Sequence, residues 1–216
     1  MTGENEMSII LPAAYGLVSE DGNLRAQYSG NVLMHICCGP CSLFCIDEFR
    51  RLLPDAALKG LFANPNIHPY DEFVRRAGST AAAADYKHLE VDFLPYYDRL
   101  SWEEFVRSDG KEQPQGEPDG ERCAMCYKVR MELTAQHAKA HGFDAITSTL
   151  FVSPYQNHEL LKAVCAETAE KHGLDFVYID FRTGFRKGQA EAREIGLYRQ
   201  KYCGCIRSER IKASGK

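Results

Sequence analysis

Long apolar runs are missing from this 216-residue chain. No stretch reaches the roughly 18 consecutive apolar residues that a membrane-crossing helix needs, so no membrane partner is expected. A basic leader with an apolar stretch behind it is missing too. Met1-Thr-Gly-Glu-Asn-Glu6 is acidic, and a cytoplasmic protein is the expectation. The sequence has no internal repeat. It has no Gly-x4-Gly-Lys-Ser/Thr loop, whose backbone N–H groups would cradle phosphates. It also lacks net basic charge: the formal value is −4, which gives no reason to expect a general nucleic-acid binder.

Cysteine is plentiful, with nine residues. The cytosol keeps thiols reduced, and an odd count cannot pair completely, so metal or thiol chemistry is the better reading. Composition, 44% hydrophobic and 26% charged, suits one core-forming domain. Residues 1–30 lack clear periodicity and read as an N-terminal extension. Residues 31–216 read as a single catalytic domain. Charge is uneven along it. Residues 90–121 hold ten acidic against three basic side chains, and residues 182–216 hold ten basic against three acidic. The basic end suits an anionic partner.

Strand and helix patterns alternate. Asn31–Ile36 reads as a buried strand, interrupted by Cys-Gly-Pro, and Ser42–Leu53 as a helix. Strands follow at 57–63, 88–93, 144–149 and 176–180. Helices are expected at 70–85, at 126–141 with Gly142 as the stop, from Ser153-Pro154 to Gly173, and at 189–194. Ser101-Trp-Glu-Glu104 resembles a capping box with Ser101 at its head. Residues 109–120 read as a mobile loop that delivers Cys123. This order predicts an α/β fold with a mainly parallel five-stranded sheet and helices on both faces. Reactive groups in such folds gather at the carboxyl ends of the strands, where Cys37, Cys38 and Asp180 fall.

Three thiol groups stand out: Cys37-Cys38-x-x-Cys41, Cys123-x-x-Cys126 and Cys203-x-Cys205. Seven sulfurs exceed the four ligands of one tetrahedral zinc, and iron is the leading metal because iron–sulfur clusters are held by thiolates. Cys38, Cys41 and Cys45 have the x2-then-x3 spacing, the reverse of the radical S-adenosylmethionine pattern. Cys45 and Cys165 read as small buried hydrophobes. Cys38-Gly-Pro-Cys41 is also the thioredoxin dithiol sequence, but a thioredoxin-like thiol oxidoreductase leaves Cys123, Cys126, Cys203 and Cys205 unused.

With Asn64-Pro-Asn-Ile-His-Pro-Tyr70, Arg122-Cys-x-x-Cys-Tyr127, Phe151-Val-Ser-Pro-Tyr-Gln-Asn-His158, Asp180-Phe-Arg182 and Gly196-Leu-Tyr-Arg-Gln-Lys-Tyr-Cys-Gly-Cys205, the chain resembles the QueH family over residues 31–207. These are cobalamin-independent epoxyqueuosine reductases, formerly a domain of unknown function. The resemblance implies an oxidoreductase that reduces epoxyqueuosine to queuosine at the wobble position of tRNAs with GUN anticodons, the last step of queuosine biosynthesis. It implies a fold similar to the adenine nucleotide α-hydrolase-like class, a [4Fe–4S] cluster and an adjacent iron ion. The ligand set it implies is Cys37, Cys38, Cys41, Cys123, Cys126, Cys203 and Cys205, with Cys37, Cys38, Cys123 and Cys126 as cofactor ligands and no division of sulfurs between the irons.

Deoxygenating an epoxide consumes two electrons and two protons, so an external electron donor and a proton donor are needed. His68, Asp180, Tyr198 and Tyr202 are the candidate catalytic residues; His35, beside a strand, fits a core histidine better. Asp180 has an alternative role in pairing with Arg182. Tyr198, Arg199, Lys201, Tyr202 and Arg207 have the composition to hold an RNA loop, whose bases are splayed and stacked on aromatics. Tyr198 and Tyr202, four apart, would alternatively pack as one helical face. Among rival activities, an iron–sulfur tRNA sulfur-transfer enzyme would need a Ser-Gly-Gly-x-Asp-Ser loop where this chain has Cys-Cys-Gly-Pro-Cys-Ser. A structural zinc protein that binds RNA would leave sulfurs over.

Overall fold

The computed structural model describes residues 28–108 and 120–206, together with three short strands nearer the N-terminus. Those strands are β1 (Ile9–Ile10), β2 (Leu17–Glu20) and β3 (Asn23–Ala26); β2 and β3 pair as an antiparallel hairpin. The first strand of the main sheet, β4 (Asn31–His35), is buried from its second residue onward. Its Val-Leu-Met run explains why: a strand covered on both faces has no polar side to alternate with.

Four further strands join it: β5 (Ala57–Phe62), β6 (Val91–Phe93), β7 (Ala145–Ser148) and β8 (Asp175–Phe176). The order is β6-β5-β4-β7-β8, and every pairing is parallel. The chain runs outward on one side of β4, then returns to build the other side. Right-handed crossovers therefore place the two sets of connecting helices on opposite faces. Helix α1 (Gly39–Leu52) packs with α2 (Tyr70–Tyr86) and α6 (Phe185–Glu194), whereas α4 (Gly120–Ala140) packs with α5 (His158–His172). The short α3 (Arg99–Ser108) lies between α2 and α4 in sequence.

Several element boundaries differ from expectation, each for a local reason. Helix α1 starts at Gly39, because Pro40 falls in the first turn, where a missing N–H costs nothing. Ser101 lies inside α3; Asp98 does the capping, its Oδ1 accepting from the Ser101 N–H at 3.0 Å. Helix α4 reaches back to Gly120, so Cys123 sits on a helix, while residues 109–119 of the anticipated loop lie outside the described residues. Pro154 opens no helix. Asn157 is the N-cap of α5, its side chain accepting from the Leu160 N–H. Helix α6 begins four residues earlier than anticipated, at Phe185. The third strand is only β6, three residues long. The fifth splits: β8 stays in the main sheet, and β9 (Tyr178–Ile179) pairs antiparallel with β1.

Gly39 lets the start of α1 lie against α2: an added Cβ would fall on the Ser79 carbonyl oxygen. Gly39→Ala is expected to destabilise the fold by about 1–3 kcal/mol, the usual range for overpacking, read as a lower urea midpoint at unchanged m-value.

Candidate metal centre

The strand order reverses at β4 and β7, and such reversals open a crevice beyond the strands' carboxyl ends. Cys37 and Cys38 follow β4, and Cys41 lies in the first turn of α1. Their three Sγ atoms lie within 4.8 Å of one another, with Cys37 and Cys38 at 3.7 Å. Among the described residues this is the one group of three or more His, Cys or carboxylate ligand atoms that close. Thr149, just after β7, ties the crevice together. Its hydroxyl accepts from the Cys37 N–H at 3.1 Å and lies 3.4 Å from the Cys37 Sγ.

The three thiols differ in acidity. Hydrogen bonds from Cys38 and Cys41, helped by Thr149, hold the Cys37 thiol well below its usual range against the opposing effect of burial. Burial pushes Cys38 up. Cys41 is also pushed up, first by its hydrogen bonds to Cys37 and Cys38. A buried set of soft sulfur donors, one already disposed to be a thiolate, can hold zinc, iron or part of an iron–sulfur cluster.

Distant cysteines face the same space. A cavity of about 420 Å³ is lined by Cys37 and Cys41, by Cys123 and Cys126 from α4, and by Cys203 and Cys205 from the tail. Burial, then the neighbouring Cys126, Cys203 and Cys205, push the Cys123 thiol up to about 11. Cys38 reaches the cavity wall through Gln200, which donates to its Sγ at 2.9 Å and lies 3.7 Å from that of Cys41. Cys45 and Cys165 belong to the hydrophobic core, outside the cavity lining.

The tail reaches the cavity because α2 holds it. Arg76 is 2% exposed, and its Nε donates to Glu72 Oε1 at 2.8 Å. Its two Nη atoms donate to the carbonyls of Tyr202 (2.8 Å) and Cys203 (3.0 Å). Ser79 Oγ donates to the Tyr198 carbonyl, and the Tyr198 hydroxyl donates to Glu72 Oε2 at 2.5 Å. Gly204 then turns the chain with φ +101°, a conformation that favours glycine. The turn leaves Cys203 exposed and Cys205 buried.

The remaining candidates separate by position. Tyr202 lines the cavity and donates to the His68 carbonyl. His68, Asp180 and Tyr198 are not among the lining residues. His68 hands its N–H to the Gly204 carbonyl at 2.8 Å and precedes a cis proline. Asp180 forms a forked ion pair with Arg182. Tyr198 and Tyr202 share no helix face, since residues 197–205 are irregular. His35 is a core histidine between Ser148 Oγ (3.0 Å) and Asn64 Oδ1 (3.2 Å). Lys201 lines the cavity, the Arg199 Nε donates to Gln189, and Arg207 lies outside the described residues. Sequence reading passed over Arg76, Arg130, Asn66, Tyr155 and Gln200, all of which line the cavity. The available signal was an arginine on the core-facing side of a helix: Arg76 recurs with Glu72, Thr80 and Ala83, and Arg130 with Tyr127, Thr134 and Ala138.

Arg76→Met removes the buried partner of Glu72 and leaves only the half-exposed Arg75, 3.7 Å away; breaking a buried pair costs up to about 3–5 kcal/mol. The tail is expected to detach. Alkylation of Cys205 should accelerate at least about tenfold and trypsin should cut after Lys201 under native conditions, both read by mass spectrometry.

Residues 32–211 match the family model described as Epoxyqueuosine reductase QueH. A Streptococcus pyogenes protein named epoxyqueuosine reductase QueH is 32% identical over 195 residues, covering 84% of this chain and 71% of that protein. The Thermotoga maritima protein of that name is 33% identical over 181 residues, covering 82% of this chain and 89% of its own length. The Histophilus somni protein is 35% identical over 187 residues, at 83% and 72% coverage. A sheet that reverses at a thiol trio, with two further cysteine pairs on the same cavity, thus accompanies a family match along nearly the whole described domain, and the chain belongs to the QueH family.

Proposed function

We propose that this chain is an epoxyqueuosine reductase acting on the wobble nucleoside of tRNA. The observation that carries the reading is the convergence of six cysteines from three distant segments on one cavity, with Cys38 beside it, in a chain of this family. The donor set fits an iron–sulfur centre: all seven ligands are thiols, three of them packed within 4.8 Å, and the cavity has room beyond them for a small organic group. Cys37, Cys38, Cys41, Cys123, Cys126, Cys203 and Cys205 would hold a [4Fe–4S] cluster and an adjacent iron. When bound, these supply electrons and a Lewis acid for the epoxide oxygen.

The protein's own groups bind and orient the substrate. Tyr155 is 76% exposed at the cavity rim and packs edge-on against Phe185. It offers a flat surface on which a nucleobase drawn out of an RNA loop can stack. Lys201, on the same cavity, supplies positive charge for the phosphates that follow. Deeper inside, the Tyr127 hydroxyl donates to Gln156 at 2.8 Å and so holds a polar wall in place. Tyr202 keeps its place as a candidate proton donor because it alone of the four proposed residues lines the cavity. His68 and Tyr198 act on the tail, and Asp180 acts on Arg182.

The sulfur-transfer reading loses ground because the thiol trio fills the place where an ATP loop would lie, between β4 and α1. No helix among the described residues is long and apolar enough to cross a membrane.

Anaerobic protein should be brown and bind more than four irons per chain when both centres are filled, as measured by metal analysis. Colourless protein with stoichiometric zinc would count against the reading. Incubation with epoxyqueuosine-containing tRNA and a reductant should yield queuosine in digested nucleosides. Cys203→Ala and Cys205→Ala should abolish that yield while circular dichroism stays native. Tyr155→Ala should raise KM for the tRNA about tenfold with iron content unchanged, since one base stack contributes about 1–3 kcal/mol.

A further inference from the structure

Part of the cavity wall, formed by the 64–67 loop and α4, carries donors with nothing to donate to. Arg130, on α4 one turn beyond Cys126, is 3% exposed and lines the cavity. Among the described residues no carboxylate lies within 4.0 Å of it. Its side chain makes one hydrogen bond, from Nε to Asn66 Oδ1 at 3.0 Å. That bond fixes the Asn66 amide. With Oδ1 taken by the guanidinium, Nδ2 must point the other way. Asn66 is 4% exposed and lines the cavity, and its Nδ2 is buried without a partner.

A buried cation and a buried amide N–H₂ are costly unless an acceptor completes them. The sulfurs have donors of their own: Gln200 donates to Cys38 Sγ at 2.9 Å, and the Thr149 hydroxyl lies 3.4 Å from Cys37 Sγ. The wall formed by Asn66 and Arg130 is therefore matched to an oxygen acceptor on whatever enters the cavity. A phosphate would be a poor occupant, because on the reductase reading it is the modified base that enters the cavity and the RNA backbone stays outside.

We propose that Asn66 Nδ2 and the Arg130 guanidinium form a substrate subsite that hydrogen-bonds the epoxide oxygen and stabilises its charge as the C–O bonds break. The assignment rests on the reductase reading. In that reaction two electrons come from an external one-electron reductant and two protons from solvent. Both C–O bonds break, a C=C bond forms between the two carbons, and the oxygen leaves as water. Arg130 remains protonated throughout and contributes donors only, since a guanidinium does not surrender its proton in a protein. Donors aimed where charge develops typically contribute about 10²–10³ in rate.

The test uses iron-loaded full-length protein, prepared anaerobically, with Asn66→Ala, Arg130→Met and Arg130→Lys. Two anticodon stem-loops serve as probes, one carrying epoxyqueuosine and one carrying queuosine, which lacks the oxygen. Without reductant, wild-type protein should bind the epoxide form more tightly than the product form. Each variant should lose that preference while its affinity for the product form stays within about twofold. With dithionite added, single-turnover rates should fall about a hundredfold for Asn66→Ala and further for Arg130→Met, at unchanged iron content and visible spectrum.

Variants that keep the binding preference and the rate overturn the subsite. Variants whose rate falls only in proportion to lost iron also overturn it, and assign Arg130 to the thiolates' charge balance. If Arg130→Met does not fold, Arg130→Lys and Asn66→Ala decide alone. Wild-type protein that loads iron and binds both stem-loops but never converts the epoxide overturns the reductase reading itself.

Discussion

The side chain of Arg76 joins helix α2 to the C-terminal tail. Its guanidinium spans a buried carboxylate on its own helix and two backbone carbonyls 126 and 127 residues further on. A buried guanidinium is stable only when its donors are matched, and here every partner is part of the site or its support. Glu72 takes Nε of Arg76 and also receives the hydroxyl of Tyr198. The carbonyls belong to the residues immediately before Gly204. Without this fork the tail has no regular structure of its own to bring Cys203 and Cys205 to the cavity. The fold thus supplies two thiol groups through secondary structure, a strand end with its helix start and a helical i, i+3 pair. The third group comes through polar contacts, the Arg76 fork together with the Ser79–Tyr198, Tyr198–Glu72 and His68–Gly204 hydrogen bonds.

A division of labour between arginines follows. Arg76 is spent on architecture: its fork is occupied by protein atoms. Arg130 is equally buried and has one side-chain bond, to an amide whose other end is open. Burial alone does not distinguish them; the list of partners does. In a cavity lined by six cysteines this difference decides which guanidinium has donors left for an incoming oxygen.

The sheet was legible in the sequence because buried parallel strands leave an unmistakable trace: short β-branched or Leu-rich runs with helices between them. The thiol groups were legible because cysteine is rare and its spacings are informative. Boundaries were read less well where proline was involved. Pro40 looked like a stop and is a start; Pro154 looked like a start and lies in a turn. The hairpin of β2 and β3 and the pairing of β1 with β9 left no periodicity to detect, since strands of two to four residues are too short to show one. The polar side of the cavity escaped notice for a different reason. Asn66, Gln200 and both arginines matter through long-range partners; helical spacing places Arg76 and Arg130 on core-facing sides but does not encode what they meet there. His68, Asp180 and Tyr198 attracted attention as reactive types near the motifs. In the fold their contacts are with the tail, with Arg182 and with Glu72.

Cys203 and Cys205 are the last of the seven thiols in chain order, and they meet the first pair across more than 160 residues. A ribosome therefore releases Cys37, Cys38 and Cys41 long before their companions exist. At ordinary synthesis rates of about 5–20 residues per second, that interval is on the order of ten seconds or more. The Thr149 hydroxyl that shelters Cys37 also arrives late. Any centre built from all three groups must be inserted into the finished chain, or started on the early thiols and closed by the tail. Completion of the thiol set is thus tied to the final act of folding, when the tail closes the last wall of the cavity.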